Sequence, residues 1–146
     1  MKKLIFAALF AVTISTSAFA GSPAKLFSVS ETSFKADFKN ATVVTWTAGA
    51  DYTNASFVLN NVKMEAFYNN GGELIGTSRA ITTDQLTVNA KRNFAKKFAD
   101  YEVKEAIRFE GAEEAAYYIS AVNEKESVVV KISDNNAITI IKKSQK

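Results

Sequence analysis

The sequence predicts an α+β fold made of two tandem units, each a short helix followed by a meander of four antiparallel strands. Three observations carry that prediction. Phe34, Phe38, Val43 and Trp46 recur sixty residues later as Phe94, Phe98, Val103 and Ala106, and a period of that length marks one supersecondary unit used twice. Each copy continues into three more β-branched and aromatic runs separated by turn residues. The chain has no Cys, so a core sufficient for this fold has to come from packing rather than from disulfides.

The elements follow in order. Ser30 reads as a helix N-cap, with Phe34 and Phe38 at i, i+4 on one helix face and Asn40 ending it. Thr42 to Thr47 is β-branched and aromatic, which predicts a strand. Gly49 to Asp51 is a turn, and Tyr52 to Asn60 is the next strand. Asn60 and Asn61 make a tight connection to a third strand, Val62 to Asn69. Asn70, Gly71 and Gly72 form a hairpin signal before a fourth strand, Glu73 to Ala80.

The second unit opens with Thr82 or Thr83 as N-cap and a helix from Thr87 to Phe98, whose apolar residues are Val88, Phe94, Ala95 and Phe98. Tyr101 to Phe109 alternates with period two. Ala115–Val122, Val128–Ser133 and Ala137–Lys142 continue the meander, with Asp134, Asn135 and Asn136 as the last hairpin turn.

The N-terminus reads as a secretory signal peptide over residues 1–20. Lys2 and Lys3 precede an apolar run, Leu4 to Ile14, and Ala18-Phe19-Ala20 supplies small residues at a cleavage site. That run is shorter than the ~20 residues a bilayer span needs. Residues 21–29 are expected as a flexible leader, and 30–146 as one domain of two repeats, about 30–81 and 82–142. The location expected is the periplasm or the outside, with no integral membrane segment after cleavage.

Removing the signal also changes the electrostatics. The chain holds 18 basic and 15 acidic residues, and loss of Lys2 and Lys3 leaves 16 against 15, a near balance. Nucleic-acid binding needs a clustered positive face, and the only local run, Lys91, Arg92, Lys96 and Lys97, reads as a solvated helix face.

These phrases resemble a known family. Phe34, Phe38, Asn40, Ala41, Val44 and Trp46, followed by Ala66-Phe67-Tyr68-Asn69 and Gly72-Glu73-Leu74-Ile75, are similar to the PepSY-like secreted proteins of Bacteroidetes. The resemblance covers about residues 30–142. It implies a fold like that of the β-lactamase-inhibitory proteins, with both units in one curved antiparallel sheet and the helices packed on one face. It also implies export to the cell envelope and a binding or inhibitory role. Two departures stand out: Ala106 replaces Trp46 in the second copy, and its hairpin turn lacks Gly.

Catalysis has little to build on. The chain has neither His nor Cys, which removes most nucleophile–base pairs and the usual zinc sites. Glu113 and Glu114 read as a solvated turn. Asp134 and Asn136 lack the rest of a calcium loop, and Asn70 to Gly72 lacks the Lys and Ser/Thr of a phosphate cradle. No enzyme, cofactor or metal is expected.

What remains is surface. If Phe34, Phe38, Phe94 and Phe98 pack the helices on one sheet face, then Val43, Val103, Phe57, Tyr117, Leu59 and Ile119 point the same way. Alternation then turns Val44, Trp46, Val58, Phe67, Arg108, Tyr118 and Lys131 to the opposite face. A bare sheet face should be mostly polar, whereas Trp, Tyr and Arg dominate interface hot spots. These seven are the expected partner-binding residues, with Trp46 foremost. The alternative for each aromatic is stacking across strands, or a bulge that turns it inward.

The expected function is an exported, non-enzymatic binding module whose open sheet face holds a protein or peptide of the envelope, in the form of an inhibitor or regulator of a protease or hydrolase. The competing readings are a carrier of a small apolar ligand, with a pocket lined by Phe57, Tyr68 and Phe109, and a self-associating structural protein.

Overall fold

The computed structural model describes residues 23–146; the signal-peptide pattern lies outside the described residues. Helix α1 (Pro23–Asp37) is followed by β1 (Thr42–Ala48), β2 (Tyr52–Leu59), β3 (Val62–Asn69) and β4 (Leu74–Ile81). After a 3₁₀ turn at Thr83–Gln85 come α2 (Val88–Lys97), β5 (Glu102–Gly111), β6 (Ala115–Val122), β7 (Glu126–Ser133) and β8 (Ile138–Gln145). The eight strands form one sheet in chain order, β1 through β8. The described chain falls into two compact units, one of 23–80 with 108–115 and one of 81–107 with 116–146.

In the first unit α1 starts at Pro23, seven residues before the expected cap at Ser30. Proline suits a first helical position because its missing N–H would have no helical acceptor there. Most of the expected leader, 21–29, is therefore helix. Ser30 is buried within the helix, and its hydroxyl pairs with that of Thr53 at 2.7 Å. Phe34 of the helix packs in one buried cluster with Ala55, Phe57, Ala66 and Tyr68 of the strands. Phe57 receives Phe34 edge-on at 4.9 Å and Phe38 at 4.8 Å. Burial and the Asp37 carboxylate push the Tyr68 phenol pKa up.

In the second unit Thr87 caps α2 by accepting from the Ala90 N–H at 3.3 Å, and the Thr82 N–H donates to Gln85 Oε1 at 2.9 Å. Phe94 and Phe98 stack at 5.1 Å over Ala106, Tyr117, Ile119, Val128, Val130 and Ile132. The Tyr101 hydroxyl donates to Glu126, which also takes Lys143 at 2.8 Å. Lys143 first and then Tyr101 hold the Glu126 carboxyl below its usual range, and the bond to Glu126 raises Tyr101 to about 12.

Both helices are tied to a distal hairpin at the same repeat position. Ser33, the residue before Phe34, donates to the Gly72 carbonyl at 2.8 Å. Asn93, the residue before Phe94, donates to the Asn136 carbonyl at 3.3 Å. Each acceptor has a left-handed backbone, φ 78° at Gly72 and 65° at Asn136. Asn is the side chain that best tolerates that region, so the second hairpin dispenses with Gly.

The sheet departs from simple alternation at Val43. Thr42 faces Val58 and Thr45 faces Ser56, so β1 carries one residue more than β2 across that interval. Val43 takes the excess at φ 53° with 78% of its surface exposed. A β-branched residue there costs about 1–2 kcal/mol. Val43→Gly is accordingly expected to raise stability by about 0.5–1 kcal/mol after the entropic cost of glycine, read as a higher Tm. A Tm that falls would show that the Val43 side chain holds the bulge.

Candidate functional site: the helix-free sheet face

The bulge decides which residues reach which face. Beyond it Trp46 pairs with Ala55, so Trp46 points toward α1 with Ala55, Phe57 and Tyr68. Its ring meets Phe27 at 6.3 Å, Phe34 edge-on at 5.5 Å and Tyr68 at 6.1 Å. Trp46 is half-buried and packs against the core under α1, not on the helix-free face where alternation places it. Val44, beside the bulge at the outer strand, is exposed. Val43, expected inward, is on the surface.

Arg108 also lies on the other side. Its neighbour Phe109 meets Phe67 at 6.2 Å, and alternation sends Arg108 to the face opposite Phe67. Its side chain is only 14% exposed and contacts Glu110 Oε1 at 3.5 Å. Phe67 is on the helix-free face as expected, yet it is 2% exposed, as Phe109 is at 3%.

The reason is two glycines. A Cβ at Gly76 would come within 2.6 Å of the Phe109 ring, and one at Gly111 within 2.8 Å. Their bare backbones leave room for that ring, which packs tilted against Phe67 at 6.2 Å. In the second unit Tyr118 pairs with Lys131 across β6 and β7, on the face away from Tyr117, Ile119 and α2. The orientation agrees with expectation. The exposure does not, because Tyr118 is fully buried.

The helix-free face of the first unit thus includes Thr45 and Thr47 on β1, Tyr52, Asn54, Ser56 and Val58 on β2, Lys63, Glu65 and Phe67 on β3, and Gly76 and Ser78 on β4. Cross-strand register aligns them in rows: Ser56, Glu65 and Ser78 in one, Asn54, Phe67 and Gly76 in the next. Of the seven residues expected on a partner face, this unit retains Phe67 and Val58 on it.

The polar row is connected. Ser78 Oγ donates to Glu65 Oε2 at 3.2 Å, and Ser56 Oγ lies 3.3 Å from Glu65 Oε1 and 3.2 Å from Asn54 Oδ1. Tyr52 meets Phe67 at 6.1 Å, and burial followed by the Glu65 charge raises its phenol pKa. Ser78 is buried and Glu65 is half-buried.

Sequence reasoning missed this row because Ser56, Glu65 and Ser78 read individually as ordinary strand polars. The alternation Asn54, Ser56 on β2 against Glu65, Phe67 on β3 was the available signal. The carrier pocket fares differently: Phe57 and Tyr68 belong to the α1 layer and Phe109 to the other face, so the three line no common cavity. Among the described residues no group of three or more Asp and Glu could hold a metal ion, and no helix is long and apolar enough to cross a membrane.

No family model matches this chain, and no curated protein matches it. Solved structures do. A protein of Bacteroides eggerthii DSM 20697, described provisionally as periplasmic, is similar at TM-score 0.72 and 15% identity, over 80% of this chain and 86% of its own. A DUF2874 family protein of Bacteroides ovatus ATCC 8483 follows at TM-score 0.69 and 18% identity, over 80% and 85%. A BLIP-like protein of Bacteroides fragilis NCTC 9343 has TM-score 0.66 and 13% identity, over 89% of each chain. At such identities the likeness carries the fold: an antiparallel eight-stranded sheet with two helices, of the BLIP-like kind.

Proposed function

We propose that this chain is an exported, non-enzymatic binding module that holds a protein or peptide segment of the cell envelope on the helix-free face of its first unit. One observation carries the reading. A sheet face with no helix on it should be polar and solvated, yet this one combines Tyr52 and Phe67 with buried Asn54 and Ser78. The signal-peptide pattern and the periplasmic description of the Bacteroides eggerthii protein favour the periplasm or the outside. The PepSY-like resemblance and the BLIP-like fold favour inhibition or regulation of a hydrolase or protease as the specific form.

The test is site-specific photo-cross-linking in envelopes of the source organism, with the photoreactive residue at Val58, at Lys63, or at Lys35 on the outer side of α1. Adducts from Val58 and Lys63 but not from Lys35 are expected. Adducts as strong from Lys35, or none from Val58 and Lys63, overturn the reading. Self-association is the second reading, favoured by β8, where seven of eight residues are exposed. Lys142 and Lys143 on that edge work against it, and it would appear as cross-links to a second copy.

A further inference from the structure

The Glu65 carboxylate is the chemically distinctive group of this face, and we infer that it receives the guanidinium of an arginine on the bound protein segment, an inference that rests on the function proposed above. The two serine hydroxyls beside it leave it undersupplied. Ser56 has a single proton to divide between Asn54 Oδ1 at 3.2 Å and Glu65 Oε1 at 3.3 Å. Ser78 supplies one to Oε2 at 3.2 Å. Two ionised oxygens offer about four acceptor positions, so each retains one.

No cation of the described chain fills them. Lys63, two residues earlier on the same face, is exposed, and none of the described ion pairs includes either residue. A half-buried carboxylate without a counter-charge is costly to keep.

The geometry selects among cations. Ser56 and Ser78 hold one oxygen each, from β2 and β4 on either side of β3, and the carboxylate remains a pair of adjacent acceptors. Two parallel acceptors match the planar fork of arginine better than the point charge of lysine. Tyr52, half-buried on the same face and packed on Phe67, adds an aromatic ring, the kind of group on which a guanidinium stacks favourably.

The experiment selects binders from a random peptide library displayed on phage, using the full chain purified after export from an expressing bacterium. Arginine enriched several-fold over the unselected library is expected. Synthetic versions of the selected peptides should lose about tenfold or more in affinity when that arginine becomes citrulline, its uncharged isostere. Glu65→Gln should cost a similar factor, and the citrulline peptides should be insensitive to it. Because citrulline leaves the protein untouched, the result does not depend on how the Glu65 variant folds.

Val58→Arg separates the two levels of the argument by placing a competing cation on the face. Peptides lost on Val58→Arg but indifferent to citrulline and to Glu65→Gln leave the binding face standing and overturn the arginine. Peptides indifferent to all three changes, or a library that yields no binder, overturn both.

Discussion

Trp46→Ala is expected to lower the unfolding free energy by about 3 kcal/mol, the lower end of the range for removing a large aromatic from a core. Trp46 is only half-buried, which places it at that end. The indole fills the space between α1 and the sheet, against Phe27, Phe34 and Tyr68, and truncation leaves a gap that three rings on two elements cannot all close. A surface tryptophan of the kind that alternation predicts would change stability by no more than about 0.5 kcal/mol. Urea unfolding decides between them. A midpoint close to that of the parent chain would return Trp46 to the surface and with it the original partner face.

Gly76→Ala is expected to cost about 2 kcal/mol, within the range for overpacking a filled site. The added methyl would meet the Phe109 ring at 2.6 Å, the Glu110 carbonyl oxygen at 2.9 Å and the Gly111 Cα at 3.0 Å. A ring can tilt away, but two backbone atoms on the neighbouring strand move only with that strand. Gly71→Ala is the control, since its methyl would meet only Asn69 Oδ1 at 3.2 Å, and a change below about 0.5 kcal/mol is expected there. Thermal unfolding of both variants checks the pair. Equal losses would mean that Gly76 is required for turn or strand propensity and not for the seat of Phe109.

Most of the architecture was legible in the chain. Phe34 and Phe38, with Phe94 and Phe98, define helix faces because i, i+4 spacing is a local property. Strands such as Val62–Asn69 and Ala115–Val122 matched to the residue because β-branched runs were bracketed by Asn and Gly. The faces were harder. A period-two count assumes no bulge, and one extra residue at Val43 inverted everything after it on β1.

The Trp46/Ala106 difference likewise has a local cause hidden by the repeat. Helix α1 extends to Pro23 and brings Phe27 over Trp46, whereas the matching residue in the second unit, Thr87, is the cap where α2 begins. The second unit therefore has no counterpart of Phe27, and the small Ala106 is buried directly within the cluster of Phe94 and Phe98. The asymmetry belongs to the core. The candidate site was illegible for another reason: Ser56, Glu65 and Ser78 meet only through register, which no single strand encodes.

The ties between helix and distal hairpin also set an order of events. Ser33 and Gly72 are 39 residues apart, and Asn93 and Asn136 are 43 apart. A chain that leaves a membrane N-terminus first therefore delivers each helix well before its anchor. Until residues 57 and 68 have followed, Phe34 and Phe38 have neither Phe57 nor Tyr68 to cover them, and the cost of closing so long a loop falls before its reward. The first unit completes its inner strands only with residue 80, and takes its last segment, 108–115, from the far side of α2. Under the export proposed above, the first unit is expected to complete only once 108–115 has arrived, and its nascent half is then the form most in need of a chaperone.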